Sequence, residues 1–369
     1  MTKARMRKDR LKSLFETLKG DYRIVGPKIV QGTVILNEID FDDMPAGSRD
    51  RQGPGTYRID RAGSSDIFSF SVGPHSFKQF LLPSVQETLA FKKSKKGISV
   101  NRVLVREKPI AFIGVRACDI AALRLLDKIF LEGPVVDPFY EDKRKDIVII
   151  AVNCLYPGEN CFCDSMGTGP EATSGFDIAL TEFGDDFFLE IGTAEGEEIL
   201  DGIPLKEVDD RDIEEKGATI FRCKEMIRKA MKTADLPGIL YRNLEHPRWD
   251  EIASRDLECG NCTMVCPTCF CNSSYDRLPI SGISSDLTER SGMRVRTWDS
   301  CFSKNFARVH GGNFRPSRRA RYRHWMTHKL AYWIDQFGSP GCVGCGRCIT
   351  WCPVGIDITH ELEELRIVR

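Results

Sequence analysis

The apolar positions of the first half of the chain fall into short, separate runs. Residues 1–20 (MTKARMRKDRLKSLFETLKG) have the spacing of a basic amphipathic helix and no apolar core of the secretory kind. From 21 to 75, strand-like pieces such as YRIV and GTVIL alternate with turn-rich stretches such as DRQGPG. Pro109 to Val115 (PIAFIGV) is continuously apolar and predicts a buried strand. It leads through Arg116-Ala117-Cys118-Asp119 into IAALRLLDKIF, an amphipathic helix with Asp119 placed as N-cap. A further strand is predicted over Asp146–Cys154, and FDIALTEFGDDFFLEIG (176–192) predicts two strands joined at the GDD turn. Strand, helix, strand argues for an α/β unit. A charged helical stretch over 209–234 and the Leu236-Pro237-Gly238 break then set a boundary, giving a mixed α/β domain over 1–236 and a second domain over 237–369.

The second region holds two cysteine runs. Near the C-terminus the chain reads Cys342-x2-Cys345-x2-Cys348-x3-Cys352-Pro353. This is the ligand spacing of a two-cluster iron–sulfur protein, in which three thiolates of one loop serve one cubane and the fourth ligates the other. The proline fixes the direction in which the chain leaves the loop. Zinc, the alternative, usually takes two separated Cys-x2-Cys pairs. The earlier run, Asp256-x2-Cys259-x2-Cys262-x3-Cys266-Pro267, repeats the intervals with aspartate in the first place. Crossing the ligands assigns Cys342, Cys345, Cys348 and Cys266 to one [4Fe–4S] cluster, and Cys259, Cys262, Cys352 and Asp256 to the other. A carboxylate is harder than a thiolate, so the second site is expected to be the more labile. Either Asp256 ligates directly, or it lies at the surface and Cys269 or Cys271 completes the site. The runs lie too far apart for a compact βαββαβ ferredoxin, and 315–335 has a helical pattern. The expectation is therefore a mainly α-helical two-cluster ferredoxin domain.

Composition narrows the class. The 369 residues carry 53 basic and 53 acidic side chains, so no global field draws the chain to nucleic acid or membrane. The longest apolar stretch, Ile147–Val152, is far too short for a membrane span, and the expected location is cytoplasmic. Fifteen cysteines in such a chain call for metal ligation, since disulfides are disfavoured there. A load of this kind suggests an anaerobe.

Four more cysteines cluster in the first domain. Cys118 follows one predicted strand and opens a helix, Cys154 ends the next strand, and Cys161 and Cys163 lie in the adjoining loop. Ends of neighbouring strands in an α/β sheet meet at one rim, where ligands bind. These four predict a third cluster, with ordinary buried cysteines as the alternative. Gly167 to Ala172 fits GxGxxA formally, but it follows the Cys-Phe-Cys loop and contains Pro170, so it reads as a loop. With no other nucleotide fingerprint, flavin and nicotinamide are expected on a partner. The basic stretch 315–329 is expected to offset cluster charge or dock an acidic partner rather than bind nucleic acid. His324 and His328 share a helical face and are expected to pack or face solvent. Cys223 and Cys301 are expected to pack near the clusters, Cys223 remote in sequence from the strand ends. No catalytic triad, carboxylate pair or Cys-Cys dipeptide is present, and no catalytic residue is expected.

The linked strings GVRACDIAAL (114–123), CFCDSMGTGP (161–170), CGNCTMVCPTCFC (259–271), TWDSCF (297–302) and HKLAYW (328–333) running into GCVGCGRCITWCPVGIDI (341–358) carry a resemblance. The chain resembles the beta subunits of cytosolic sulfhydrogenases (NiFe hydrogenases) and the corresponding iron–sulfur subunits of anaerobic sulfite reductases. That resemblance implies an electron-transfer subunit between a flavoprotein that uses NAD(P)H and a catalytic hydrogenase or sulfite reductase subunit. The departure is Asp256, where the family pattern has cysteine. A free-standing polyferredoxin and a structural protein with inert metals are the remaining possibilities.

Overall fold

The computed structural model describes residues 2–104, 107–278 and 290–367. Its longer strands are β1 (Thr2–Arg7), β2 (Arg23–Val30), β3 (Thr33–Glu38), β4 (Ser48–Gly53), β5 (Thr56–Arg61), β6 (Val85–Ser94), β7 (Gly97–Arg102), β8 (Ile110–Val115), β9 (Ile147–Val152), β10 (Ile178–Phe183), β11 (Asp186–Ile191), β12 (Asn272–Arg277) and β13 (Arg290–Trp298). Seven of them form one sheet in the order β1-β11-β10-β9-β8-β2-β3. The four central strands run parallel, and β1, β11 and β3 pair antiparallel at the flanks. All six residues of β8 are buried, as are the last five of β9, as expected of parallel strands covered on both faces.

The predicted strands are found, but the N-terminal helix begins late. Residues 2–7 form β1, paired antiparallel to β11, with Ala4 and Met6 facing the core. Arg5 donates from Nε to Asp186 at 3.1 Å and from Nη1 to Asp212 at 3.0 Å, fixing a strand whose outward residues are all polar. The helix spans Leu11–Asp21 and buries Leu11, Leu14, Phe15 and Leu18, one apolar face.

The helix Ala117–Phe130 carries the chain from β8 to β9. Its N-cap is Arg116; Asp119 sits in the first turn and serves a different purpose, described below. Leu236-Pro237-Gly238 opens the helix Leu236–Arg242 instead of breaking the chain. Proline is tolerated in a first turn because no partner awaits its missing N–H there.

A second, antiparallel sheet has the order β12-β13-β6-β7, drawing two strands from each side of residue 236. The remaining C-terminal elements include the helices Arg248–Arg255, Arg318–Thr327, Trp333–Phe337 and Ile358–Arg366, with a π-helical turn over His328–Tyr332. Trp249, Phe302, Trp325, Met326, Ile349 and Leu362 form their core, and Cys262, Cys342, Cys348 and Cys352 pack at its edge. Among the described residues no helix is long and apolar enough to cross a membrane.

Candidate metal centres

None of the fifteen cysteines is in a disulfide. The loop Cys342–Cys348 lies directly on the loop 160–163 of the first region. Phe162 N donates to Gly344 O at 2.8 Å, and Thr168 Oγ1 to Val343 O at 2.7 Å. The approach is close enough to demand glycine. A Cβ on Gly344 would meet the Cys163 backbone at 2.7 Å, and one on Gly346 would meet Asn160 O at 2.5 Å; both residues also have positive φ. From the other side the β4–β5 hairpin braces the loop, with Gly55 N donating to Ile349 O at 3.0 Å and Tyr57 stacked on Trp351 at 5.0 Å. Within this frame Lys329 Nζ donates to both Cys266 Sγ at 3.3 Å and Gly341 O at 2.9 Å, and Thr268 Oγ1 donates to Gly341 O at 2.8 Å, which sets Cys266 beside the loop that begins at Cys342. The four cysteines assigned together by spacing are therefore neighbours. Burial pushes the Cys348 thiol up and raises that of Cys342 to about 11.

The second set also assembles. Asp256, Cys259, Cys262 and Cys352 line one cavity together with Phe302 and Tyr322, and Cys348 of the first set reaches the same wall. Asp256, Cys352 and Cys259 are the leading charges around the Cys262 thiol. Asp256 is 7% exposed, so the surface alternative is set aside. It caps the helix Arg248–Arg255, and its Oδ1 accepts from Glu258 N at 2.9 Å. Its Oδ2 is buried with no hydrogen-bond partner, and burial raises the carboxyl pKa. An orphaned buried carboxylate oxygen is costly; a bound iron would satisfy it. Cys269 and Cys271 line a different cavity. If Asp256 ligates, Asp256→Ala should convert that site to a three-iron form, and Asp256→Cys should slow its loss of iron to a chelator; EPR of both variants checks this.

The N-terminal four cysteines meet at the rim that the strand order implies. The parallel strands β8 and β9 end together, with Cys118 in the first turn after one and Cys154 after the other. Cys118, Cys163 and Cys345 pack in one buried cluster, and Cys161 Sγ lies 3.7 Å from Cys345 O. Burial pushes all four thiols up. The helix Asp210–Met226 packs along β10 and brings the fully buried Cys223 beside Cys154 and Cys163. Its remoteness in sequence was therefore misleading, and a fifth thiol belongs to this rim. The GxGxxA stretch is a loop.

Among the described residues no three His, Cys, Asp or Glu side chains are gathered as the ligands of one ion would be. A polynuclear centre, whose thiolates bind different irons, suits such wider groups. Residues 255–356 match the family described as the 4Fe-4S dicluster domain. Over 322 residues, 84% of this chain and 89% of the relative, the sequence is 33% identical to sulfhydrogenase 2 subunit beta of Pyrococcus furiosus. The chain belongs to the sulfhydrogenase beta-subunit family. It carries a 4Fe–4S dicluster domain and is an iron–sulfur electron-transfer protein. No solved structure matches it.

Spacing alone could not reveal which charges this family member sets beside its thiols. Of the basic stretch, Arg318 and Arg321 pair with Glu258, and Arg319 and Arg323 with Glu245, so these charges are paired within the chain. Lys329 is the one that reaches thiols. It lies in the π-helical turn, 5% exposed, and donates to Cys266 Sγ at 3.3 Å, Thr268 Oγ1 at 3.0 Å and Gly341 O at 2.9 Å. On the opposite flank Arg347, between Cys345 and Cys348, forms a buried ion pair with Asp119 at 2.9 Å. That pair fastens the C-terminal cysteine loop to the helix bearing Cys118.

Proposed function

We propose that this chain relays single electrons between a flavoprotein that exchanges them with NAD(P)H and a catalytic partner that works on hydrogen or on a sulfur substrate. Cys342, Cys345, Cys348 and Cys266 hold one [4Fe–4S] cluster. Cys259, Cys262, Cys352 and Asp256 hold a second, and Cys118, Cys154, Cys161 and Cys163 a third. When bound, the clusters take up and release one electron at a time. The chain's own residues exclude water around them, supply compensating charge through Lys329 and Arg347, and hold neighbouring sites together.

One observation carries the reading: the three settings adjoin one another. Cys348 of the first set lines the cavity of the second, Cys161 Sγ of the third lies 3.7 Å from Cys345 O of the first, and Cys118, Cys163 and Cys345 pack in one cluster. Clusters in contiguous sites form a path, which inert structural metals would not need. Residues 1–236 act as an α/β region and 237–369 as a mainly helical ferredoxin region in the cytoplasm, the two joined through the sheet β12-β13-β6-β7. The name of the Pyrococcus relative, which marks it as one component of a sulfhydrogenase, supports a multi-subunit setting. The test is turnover by the pure chain. It should accept electrons from dithionite, yet catalyse neither hydrogen formation nor sulfite reduction with NADH or NADPH until both partner proteins are added. Appreciable turnover by the single chain would overturn the assignment.

A further inference from the structure

Three cysteines lie outside all three sets and line one cavity. Cys269, Cys271 and Cys301 share a space of about 320 Å³ with His324, His328 and Lys329. The fold brings them together by a hairpin. Cys271 immediately precedes β12, Cys301 follows β13, and the pairing of Asn272 with Trp298 closes the two ends, with Asp299 N donating to Cys271 O at 2.9 Å. Cys269 reaches the same wall from the turn after Cys266. Opposite, His324 and His328 stack one helical turn apart, their ring centroids separated by 5.7 Å and their planes by 9°.

Charge supplies a second, independent observation. Two lysines are buried here, Lys78 at 3% exposure and Lys329 at 5%. Lys78 Nζ donates to the carbonyls of Cys266 at 2.9 Å and Cys269 at 2.8 Å and lies 4.2 Å from the centre of the Trp298 ring. Among the described residues neither lysine has an ion pair with a carboxylate, and their partners are carbonyls, a hydroxyl, a ring and a thiol. A buried cation without a counter-charge is strongly destabilising. Lys329 donates to Cys266 Sγ, whereas Lys78 also reaches the Cys269 carbonyl, so cationic charge lies on the Cys269 side as well, where thiolates of Cys269 and Cys271 would balance it.

We propose that Cys269, Cys271 and Cys301 hold an additional iron–sulfur cluster in this cavity, with the His324–His328 pair providing its fourth ligand. The site uses none of the cluster ligands assigned above, although it rests on the iron–sulfur reading of the chain.

The experiment uses the full-length chain, prepared and reconstituted without oxygen. The double variant Cys271→Ser/Cys301→Ser should lose one cluster's iron, about two to four atoms per chain, and one EPR signal, while the others keep their g-values. His324→Ala or His328→Ala should shift that same signal. In the parent chain, Cys269 and Cys271 should resist alkylation while iron is bound and react once a chelator has removed it; this measurement stands even if the double variant fails to fold. A folded double variant with parental iron and spectra overturns the site. So does alkylation of iron-loaded parent at the stripped rate, or a Cys271–Cys301 disulfide in it. An unchanged signal in both histidine variants overturns the imidazole ligand. A parent without iron would overturn the wider reading as well, which separates the two failures.

Discussion

Arg347→Met should destabilise the chain by about 3–5 kcal/mol, the usual cost of removing one partner of a buried ion pair. Arg347 and Asp119 are 2% and 3% exposed, and their 2.9 Å contact joins the C-terminal cysteine loop to the helix Ala117–Phe130. Arg347 Nε also donates to Gly73 O at 3.0 Å, so the substitution loses a second tether. The double variant Arg347→Met/Asp119→Leu should recover much of the loss, because it removes both charges instead of stranding one. Denaturant unfolding of parent, both single variants and the double variant closes the cycle. A near-neutral Arg347→Met would show that Asp119 is solvated or neutral in the folded chain. Because the pair spans the two regions, its loss should also speed release of iron from the adjoining sites.

Lys329→Met should lower the reduction potential of the cluster assigned to Cys266, Cys342, Cys345 and Cys348 by on the order of 100 mV. The sign follows from charge: the ammonium favours the reduced, more negative cluster, so its removal favours the oxidised one. The size is that of a unit charge several ångströms away at an effective dielectric near 20, with about 59 mV for each 1.4 kcal/mol in a one-electron couple. Lys329 is well placed for such an effect, since Cys266, Cys269, Cys342 and Cys348 are the charges that hold its ammonium protonated against burial. An EPR-monitored redox titration reads the shift. An unchanged potential would place the cluster away from Lys329.

The cysteine runs and the buried strands were legible because each leaves a short-range signature. The spacing of Cys342, Cys345, Cys348 and Cys352 is fixed by the cluster and the loop that wraps it, and it survives in any context. The apolar runs in β8 and β9 mark strands covered on both faces. What failed depended on partners far along the chain. Residues 2–7 carry alternation in Ala4 and Met6, but their basic residues imitated a helical face until the edge of β11 claimed them. Asp119 has a good N-cap identity and position, yet its carboxylate is taken by Arg347. Cys223 lies in a charged helix whose sequence gives no hint that it ends beside Cys154 and Cys163. The hairpin that joins Cys271 to Cys301 includes a strand, Asn272–Arg277, that is exposed throughout and has no apolar alternation to announce it. At position 256 the sequence marked the departure from cysteine, and only the fold revealed a buried, partnerless carboxylate oxygen there.

The most direct measurement of the central claim is metal analysis with EPR on the full-length chain purified without oxygen. The account predicts roughly eight to twelve iron atoms per chain, from two or three four-iron clusters, with up to four more when the Cys269–Cys271–Cys301 site is filled. It also predicts visible charge-transfer absorption that bleaches on reduction, with interacting signals from neighbouring clusters. Stoichiometric zinc, no such absorption and no iron after reconstitution would contradict it.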